Sequence, residues 1–241
     1  MKKLLPCLLL YACTQKPAVQ QTPAPVNNIV ATAPAPAPPP SDTVFLRRSP
    51  EADYYEAVFI DPAASSAARR TLMNFEFRET YKADFENGIK TFPENYKKKK
   101  TLGLPEKWLP LCLYNNEYFL YAPSDWGNAG RRMILPEAYV VWDMEGPTPF
   151  YWHAIRQTGK RQYELRYQGY NDARKINIHI LDPKTQRAVF EYVDGAETYY
   201  QMYTPVSQAN QYRIIVNYSP SRKAIEYDFQ DPDWKQLLQK N

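Results

Sequence analysis

The sequences YELRY at residues 163–167 and INIHI at residues 176–180 belong to a stretch of alternating apolar and polar residues that covers residues 162–229. Successive side chains of a strand point to opposite faces, so this alternation predicts strands with one buried face and one solvated face. Turn-forming residues separate the segments, as in DPKT at residues 182–185. A run of such strands with short connections predicts an antiparallel meander.

Further segments with the same period of two extend the predicted sheet in both directions. Toward the C-terminus the inward-facing rows are Ala188, Phe190 and Tyr192; Tyr200 and Met202; Tyr212, Ile214, Val216 and Tyr218; and Ile225, Tyr227 and Phe229. Upstream, strands are predicted at residues 44–46, 54–60, 108–114, 117–121, 138–144 and 150–156. Asn115 and Asn116 tolerate positive φ and predict a two-residue hairpin, whereas Pro110 predicts that its strand lies at an edge or begins late.

Two helices are predicted beside the strands. Asp61 and Pro62 are typical of a helix start, since Asp caps and Pro fits the first helical position. One face of this helix would carry Met73, Phe77, Tyr81 and Phe85. A strand over residues 75–78 is the alternative, because that segment also alternates. A short helix is predicted after DPD at residues 231–233, with an apolar face of Trp234, Leu237 and Leu238.

These elements predict one mainly β domain over residues 43–241. The expected form is a single antiparallel up-and-down barrel or β-clam of about ten strands, with an early helix and a short C-terminal helix. In architecture it resembles the lipocalins and the fatty-acid-binding proteins, although the early Gly-x-Trp of lipocalins is absent. The WLPL hairpin at residues 108–111 and the DPDW motif at residues 231–234 also resemble uncharacterised lipoproteins of Bacteroidetes-type bacteria.

The N-terminus has the pattern of a secretory leader over residues 1–12. Two lysines precede an apolar run at residues 4–12, which is shorter than the roughly 20 residues that a membrane span needs. The sequence LYAC at residues 10–13 resembles a bacterial lipobox, and this resemblance implies that Cys13 receives lipid, including palmitate, and tethers the chain to a membrane of the cell envelope. The absence of Asp after Cys13 resembles sorting to the outer membrane. Ordinary secretion and a retained leader are the alternatives.

Residues 13–42 comprise the candidate lipidated cysteine and a Pro/Ala-rich linker. The segment has no apolar periodicity and ends in three consecutive prolines at residues 38–40. Such a composition cannot bury a core and favours an extended, disordered spacer. The linker is therefore predicted to hold the β domain away from the membrane, with recognition of its prolines by a partner as an alternative.

Titratable residues give little indication of catalysis. The sequence contains two histidines, His153 and His179, and alternation places His179 opposite the apolar face of its strand, toward solvent. Cys112 is the one cysteine of residues 43–241 and is predicted to be a buried, inert thiol. Carboxylate pairs occur at residues 143 and 145 and among residues 228, 231 and 233, without a spacing that selects a glycosidase. No nucleotide-binding, hydrolase or zinc-protease motif is present, so neither an enzyme nor a cofactor is predicted.

The four lysines at residues 97–100 form the densest run of charge in a chain whose formal net charge is +4. A solvated loop is the preferred interpretation, and contact with anionic lipid headgroups or another acidic surface is the alternative. Nucleic acid is not expected as a partner of an exported protein with so small a net charge.

Aromatic residues provide the candidate binding site. Trp126, Trp142 and Trp152 lie close together in sequence, and Tyr200 and Tyr212 belong to tyrosine-rich inward rows. Because a buried phenol needs a hydrogen-bond partner, such rows suit a partly polar cavity. The five residues are candidate ligand-binding residues, with packing in the core as the competing interpretation.

The sequence therefore predicts an envelope lipoprotein whose noncatalytic β domain binds an apolar or glycan ligand. An accessory subunit of an envelope protein complex and a hydrolase with an unrecognised site are the alternatives. Ligand binding predicts a cavity lined by Tyr and Trp. A complex predicts a filled barrel and an exposed aromatic patch, with the lysine run of residues 97–100 as a candidate for its rim. An enzyme predicts converging titratable groups.

Overall fold

The computed structural model shows a mainly β domain, as the alternation predicted. It describes residues 44–48, 56–63, 65–143, 146–170, 172–219 and 226–239. The predicted leader at residues 1–12, Cys13 and the linker of residues 13–42 lie outside the described residues.

Thirteen strands and three α-helices make up the described part of the domain. In chain order the strands are β1 Val44–Arg48, β2 Glu56–Asp61, β3 Lys107–Tyr114, β4 Glu117–Ala122, β5 Arg132–Ile134, β6 Tyr139–Asp143, β7 Gly146–Phe150, β8 Trp152–Gly159, β9 Gln162–Gln168, β10 Ala173–Ile180, β11 Ala188–Asp194, β12 Glu197–Pro205 and β13 Ile214–Tyr218. The helices are α1 Ala67–Met73, α2 Glu79–Lys90 and α3 Trp234–Gln239.

The strands form one mixed sheet that stays open. Its order is β1-β2-β13-β4-β3-β12-β11-β10-β9-β8, and β5, β6 and β7 branch from β3. Within the described residues no pairing joins β1 to β8, so the closed barrel or β-clam expected from the alternation is not observed. An up-and-down barrel needs each strand beside its sequence neighbour. Here β13 inserts between β2 and β4 and runs parallel to β4, which breaks that order.

The predicted meander is confirmed over β8 to β12, whose strands pair in sequence order and antiparallel. Leu165, Ile176, Ile178 and Phe190 are fully buried on the predicted inward face. The predicted last strand is wrong for Tyr227 and Phe229, which lie in irregular structure, while Ile225 lies outside the described residues. Both edges of β13 are already occupied by β2 and β4, so the chain that follows has no free edge beside it.

Pro110 occupies an interior strand, and the predicted edge position is wrong. β3 pairs with β12 on one side and with both β5 and β4 on the other. The β5 pairing uses Lys107 and Trp108, and the β4 pairing begins at Leu111. Pro110 lies between these two ladders, where its missing N–H interrupts neither.

The early helical region is two helices rather than one. α1 begins after Ser66, whose hydroxyl accepts the Arg69 backbone N–H at 3.2 Å, and not at Asp61. The chain then leaves the helix at Asn74, whose side chain accepts the Glu76 N–H at 2.8 Å, before α2 starts. Phe77 therefore lies between helices, and the strand alternative for residues 75–78 is also wrong.

The hairpin and the C-terminal helix form where the sequence predicted them. Asn115 and Asn116 have φ values of 49° and 61°, which suits a two-residue turn between β3 and β4. Asp233 caps α3 by accepting the Gln236 N–H at 2.9 Å. None of the described helices is both long and apolar enough to cross a membrane.

Candidate functional site

The sheet divides where β3 and β12 stop pairing. Their ladder runs from Trp108 and Pro205 to Leu111 and Met202. Beyond it β3 continues beside β4, and the first half of β12 continues beside β11. At the division the Gln201 side chain donates from Nε2 to the Leu111 carbonyl at 2.9 Å, in place of a further ladder bond. A cavity of about 520 Å³ opens between the two strands.

The C-terminal segment supplies one wall of this cavity. Gln230 forms a bridge with Leu113 of β3, and Phe229 and Trp234 line the space beside it. Tyrosines contribute much of the remaining lining, namely Tyr121, Tyr192, Tyr199, Tyr200, Tyr203 and Tyr227. Tyr192, Tyr200 and Tyr227 belong to the predicted inward rows, whereas Tyr212 and Tyr218 of those rows do not line the cavity.

A smaller cavity of about 150 Å³ adjoins the first, since Arg132, Tyr192 and Tyr199 line both. We call the two cavities and their lining the tyrosine groove. Three large hydrophobic side chains are exposed within the described residues, and Tyr170 (72% exposed) and Tyr199 (51%) are two of them. Both line the smaller cavity, so exposed aromatic surface is concentrated at this groove.

Tyr199 presents a ring face at the junction of the two cavities. Its ring stacks on that of Tyr192, with centroids 4.5 Å apart and an angle of 6° between the planes. Because Tyr192 is buried and Tyr199 is half exposed, the second face of the Tyr199 ring is turned toward solvent. Tyr170 packs edge-on against Phe150 at 5.1 Å. The groove thus holds one rigidly supported, open aromatic face.

Beneath Tyr199 three buried phenols form a hydrogen-bonded chain. The Tyr139 and Tyr192 hydroxyls are 3.4 Å apart, those of Tyr192 and Tyr203 are 3.1 Å apart, and Tyr203 donates to the Gly130 carbonyl at 3.3 Å. Burial raises the pKa of all three tyrosines. They are therefore neutral phenols at physiological pH, and each hydroxyl has a protein partner.

Arg132 carries the positive charge of the groove. The chain reaches it through a 3-10 helix, Trp126–Ala129, and through Gly130, whose φ of 61° turns the backbone into β5. Its Nη1 donates to the Arg131 carbonyl at 2.9 Å, and its Nε is buried without a hydrogen-bond partner. No carboxylate of the described residues forms an ion pair with it.

The preceding residue, Arg131, lies in a separate cavity of about 460 Å³, which we call the tryptophan pocket. Its guanidinium is 4.2 Å from the ring centroid of Trp142 and 5.4 Å from that of Phe75, and its Nη1 donates to the Asn74 carbonyl at 2.5 Å. Phe77 also contacts Trp142, at 5.4 Å between centroids. Burial lowers the pKa of Arg131 to about 10, which leaves it charged at physiological pH.

The five candidate ligand-binding residues from the sequence fall into four places. Trp126 and Trp142 come together in the lining of the tryptophan pocket, and Tyr200 lines the tyrosine groove. Trp152 is fully buried in the core, where its indole N–H donates to the Leu135 carbonyl at 3.0 Å. Tyr212 follows a 3-10 helix, and its carbonyl accepts from Arg69 at 2.7 Å, so its backbone anchors α1.

The titratable groups of the neighbouring strands satisfy one another. His179 lies on the predicted face, but the predicted exposure to solvent is wrong, since its side chain is only 16% exposed and its Nε2 lies 3.1 Å from Glu191 Oε2 on the adjacent strand. Burial alone would raise the pKa of Glu191, but hydrogen bonds from Asn177, His179 and Tyr200 lower it below the ordinary value. The carboxylate is thus held by three donors and does not line the groove.

Neither a reactive cysteine nor a metal site is found among the described residues. Cys112 is partly buried, its Sγ lies 3.4 Å from the Phe119 carbonyl, and burial raises the pKa of its thiol to about 12. A thiol at that pKa is protonated and unreactive at neutral pH. Within the part of the chain that the structure describes, no group of three or more His, Cys, Asp or Glu residues is placed to hold a metal ion.

Comparison with known proteins gives no match to a family model, to a curated protein or to a solved structure. The site is therefore interpreted from its own chemistry.

The sequence analysis did not identify Arg132, Tyr170 or Tyr199. The available signal was the arginine pair at residues 131–132, directly before the apolar residues of β5. Adjacent residues of a strand point to opposite faces, so the two arginines cannot both face solvent when each face of the strand is covered. Tyr199 precedes Tyr200, which belongs to a predicted inward row, so alternation places Tyr199 on the opposite face and does not select it. Its exposure depends on where β3 leaves β12, which is a long-range feature.

Proposed function

We propose that the protein is a noncatalytic binding protein and that the tyrosine groove holds a carbohydrate or a similar ring-bearing ligand. The observation that carries the proposal is the open face of Tyr199 at the junction of two cavities. The larger cavity, at about 520 Å³, is of the size found for small-molecule sites, which span roughly 300–1,000 Å³.

The lining favours a sugar over a wholly apolar ligand. A sugar ring offers a C–H face to an aromatic ring and hydroxyls to polar groups, and the groove provides both kinds of partner. Beside its tyrosines it contains Asn128, Arg132 and Gln201. An apolar molecule would leave these polar groups without water or a partner, which is costly.

The groove carboxylates support a noncatalytic role. Glu226 accepts hydrogen bonds from the Tyr121 hydroxyl at 2.5 Å and from the Asn217 amide at 3.1 Å. Its other oxygen accepts from Ser124 and from the Asp125 N–H. Asp231 is the other carboxylate that lines the larger cavity. A glycosidase needs two carboxyl groups available to the substrate, and Glu226 is occupied by its hydrogen bonds to the wall of the cavity.

The groove proposal is tested by titrating the full-length chain, extracted in mild detergent, with a panel of neutral and acidic oligosaccharides. We expect at least one class of oligosaccharide to bind, and calorimetry or ligand-observed NMR measures the binding. Replacing the platform in Tyr199→Ala should weaken that binding by about five- to hundredfold, by analogy with the stacking of a nucleic-acid base on one aromatic ring, which contributes about 1–3 kcal/mol.

The matched control is Leu102→Ala. Leu102 is the third exposed large hydrophobic residue of the described part, at 43%, and it does not line the groove. It should leave the affinity unchanged. Retention of an apolar lipid-like molecule in the purified chain, with no oligosaccharide bound, would replace the sugar by an apolar ligand. No bound ligand of either class, with protein partners recovered instead, would favour the accessory-subunit alternative.

We further propose that Cys13 carries lipid and tethers the domain to the cell envelope, in the outer membrane, through the linker of residues 13–42. Support comes from the leader and LYAC pattern of the sequence. Several acyl chains on one cysteine would anchor the chain firmly, at about 0.8 kcal/mol for each buried CH₂. Metabolic labelling with a palmitate analogue should mark the wild-type chain and not Cys13→Ser. Labelling of neither would contradict the anchor without bearing on the groove.

The lysine run is more simply explained as part of a surface loop. Residues 97–100 lie in irregular structure, Lys98 is 3.7 Å from Glu137, and Lys99 lies 5.0 Å from the Tyr96 ring centroid. The exposed aromatic residues of the described part lie at the groove and not beside this run. The site therefore favours ligand binding over an accessory role, and the accessory role stays the alternative.

A further inference from the structure

Arg132 is a cation whose charge the groove does not neutralise. Among the described residues its one hydrogen bond is to a backbone carbonyl, that of Arg131, and its Nε is buried without a hydrogen-bond partner. The buried phenols of Tyr139, Tyr192 and Tyr203 line the same cavities. These phenols are neutral, so they solvate the guanidinium without balancing its charge.

The second arginine of the groove differs in this respect. Arg174 lines the smaller cavity and lies 3.3 Å from both Asp172 and Asp194, so its charge is balanced by two carboxylates. Arg132 has no such partner, although it lines both cavities. Buried charges in proteins are normally paired. We therefore expect the anion that balances Arg132 to come from outside the described residues and to bind where the two cavities meet.

We propose that Arg132 binds an anionic group, a carboxylate or a sulfate, on the sugar ring that stacks on Tyr199. This inference rests on the groove being a sugar site. The two contacts fit one ligand, because Arg132 and Tyr199 line the same two cavities. The ring face supplies a contact common to many sugars, and the cation selects acidic ones. The ligand class is thus an acidic glycan, such as a uronate or a sulfated sugar.

Guanidinium is well suited to this task. It stays charged at any physiological pH, and it donates charge-assisted hydrogen bonds to carboxylate or sulfate oxygens. The phenol chain beneath holds the surrounding hydroxyls in fixed positions, since Tyr139, Tyr192 and Tyr203 end on the Gly130 carbonyl. An anion would therefore bind beside a cation whose surrounding hydroxyls are already ordered, so that binding needs little reorganisation of the protein.

The test uses pairs of ligands that differ only in charge. We would titrate the full-length chain with an oligogalacturonate and its methyl ester, and with a sulfated galacto-oligosaccharide and its unsulfated parent. The acidic member of at least one pair should bind at least about tenfold more tightly, as expected for a charged hydrogen bond in a partly buried site. The difference should shrink at high salt, because a groove open to solvent is screened.

Two arginine variants assign that preference to a residue. Arg132→Gln should bring the acidic and neutral members to equal affinity, and Arg132→Lys, which keeps the charge, should retain part of the difference. Arg156→Gln is the control, because Arg156 pairs with Glu164 at 2.7 Å outside the groove, and it should retain the full difference. Arg174→Gln tests the other arginine of the groove, whose charge Asp172 and Asp194 already balance. If Arg132→Gln does not fold, the wild-type pairs and Arg132→Lys still decide the question.

The possible outcomes separate this inference from the function it rests on. Equal affinity for both members of every pair would overturn the role of Arg132 and leave the sugar site in place. A charge preference that disappears in Arg174→Gln and persists in Arg132→Gln would also overturn it. A chain that binds no member of any pair would overturn the sugar site itself.

Discussion

Arg131 and Arg132 are adjacent in sequence, yet the two pockets they enter are opposites. The guanidinium of Arg131 lies over the Trp142 ring at 4.2 Å and donates to the Asn74 carbonyl. The guanidinium of Arg132 faces neutral phenols and lacks a carboxylate among the described residues. The Nε of each arginine is buried without a hydrogen-bond partner, and neither guanidinium forms an ion pair with a described carboxylate. The difference is that two aromatic ring faces cover Arg131, whereas no such ring contact is found for Arg132 among the described residues.

The difference follows from strand geometry. Adjacent residues at the start of a strand point to opposite faces, so the pair sends one cation into the tryptophan pocket and one into the tyrosine groove. A cation covered by aromatic rings of its own chain contributes to stability, and a cavity with an open ring face and a cation without such cover is suited to a ligand. Volume alone does not separate the two, since they measure about 460 and 520 Å³.

The largest effect on stability is expected in the tryptophan pocket. Trp142 is 5% exposed and contacts Phe75, Phe77 and Arg131. Trp142→Ala should lower the free energy of unfolding by about 3–5 kcal/mol, as for other buried aromatic residues. Urea denaturation followed by circular dichroism measures this loss. Tyr199→Ala, in the groove, should cost about 1 kcal/mol, and equal losses for the two variants would remove the distinction between the pockets.

Variants of Arg131 and Arg132 should change the free energy of unfolding by less, but they compare the two pockets more directly. Arg131→Met should lower the free energy of unfolding by about 2 kcal/mol, because it removes a charged hydrogen bond and contacts with two aromatic rings. Arg132→Met should cost less or increase stability, because replacing a partly buried, unbalanced charge by an apolar side chain relieves desolvation. Thermal and urea unfolding of both variants, without ligand, make the comparison. A greater loss for Arg132→Met would show that the phenols stabilise its charge fully.

Local patterns in the sequence predicted the strands and turns well. The period of two identified β9, β10 and β11, and the pair of asparagines identified the hairpin between β3 and β4. Each of these depends on residues close together in the chain. The open, branched sheet depends instead on which strand β13 joins, and its partners β2 and β4 lie about 100 residues or more away in sequence. A pattern of alternation carries no information about that choice.

The sequence predicted the type of site, an aromatic and partly polar cavity, but not most of the residues that form it. The tyrosine-rich rows indicated a partly polar interior, and Tyr192 and Tyr203 do meet there. Of the three tryptophans, Trp142 contacts Arg131, Trp152 is buried in the core and Trp126 lines the tryptophan pocket. Alternation places Arg131 and Arg132 on opposite faces, but it does not tell which one meets Asn74 and Trp142. That information comes from α1 and the segment after it, which pack on one face alone.

The smallest effect concerns the phenol chain and appears only at high pH. Burial raises the pKa of Tyr192 above its ordinary value of 10.0. Below about pH 10 the phenol is protonated in both the folded and the unfolded state, so it adds no pH dependence. Above that pH the unfolded chain loses the proton and the folded chain keeps it. The free energy of unfolding should therefore fall with pH, by about 1.4 kcal/mol per pH unit for each such tyrosine, until the folded pKa is reached.

Tyr192→Phe removes one of these phenols and should flatten the decline. Between pH 7 and 9 the difference in unfolding free energy between the variant and the wild type should be constant, which serves as the control. Above about pH 10 the wild type should lose the additional 1.4 kcal/mol per pH unit relative to the variant. Parallel curves throughout would mean that water reaches Tyr192 and hydrates its anion. The groove would then be wetter than its hydrogen-bonded phenols indicate, and the contrast with the closed tryptophan pocket would have to rest on Arg132 alone.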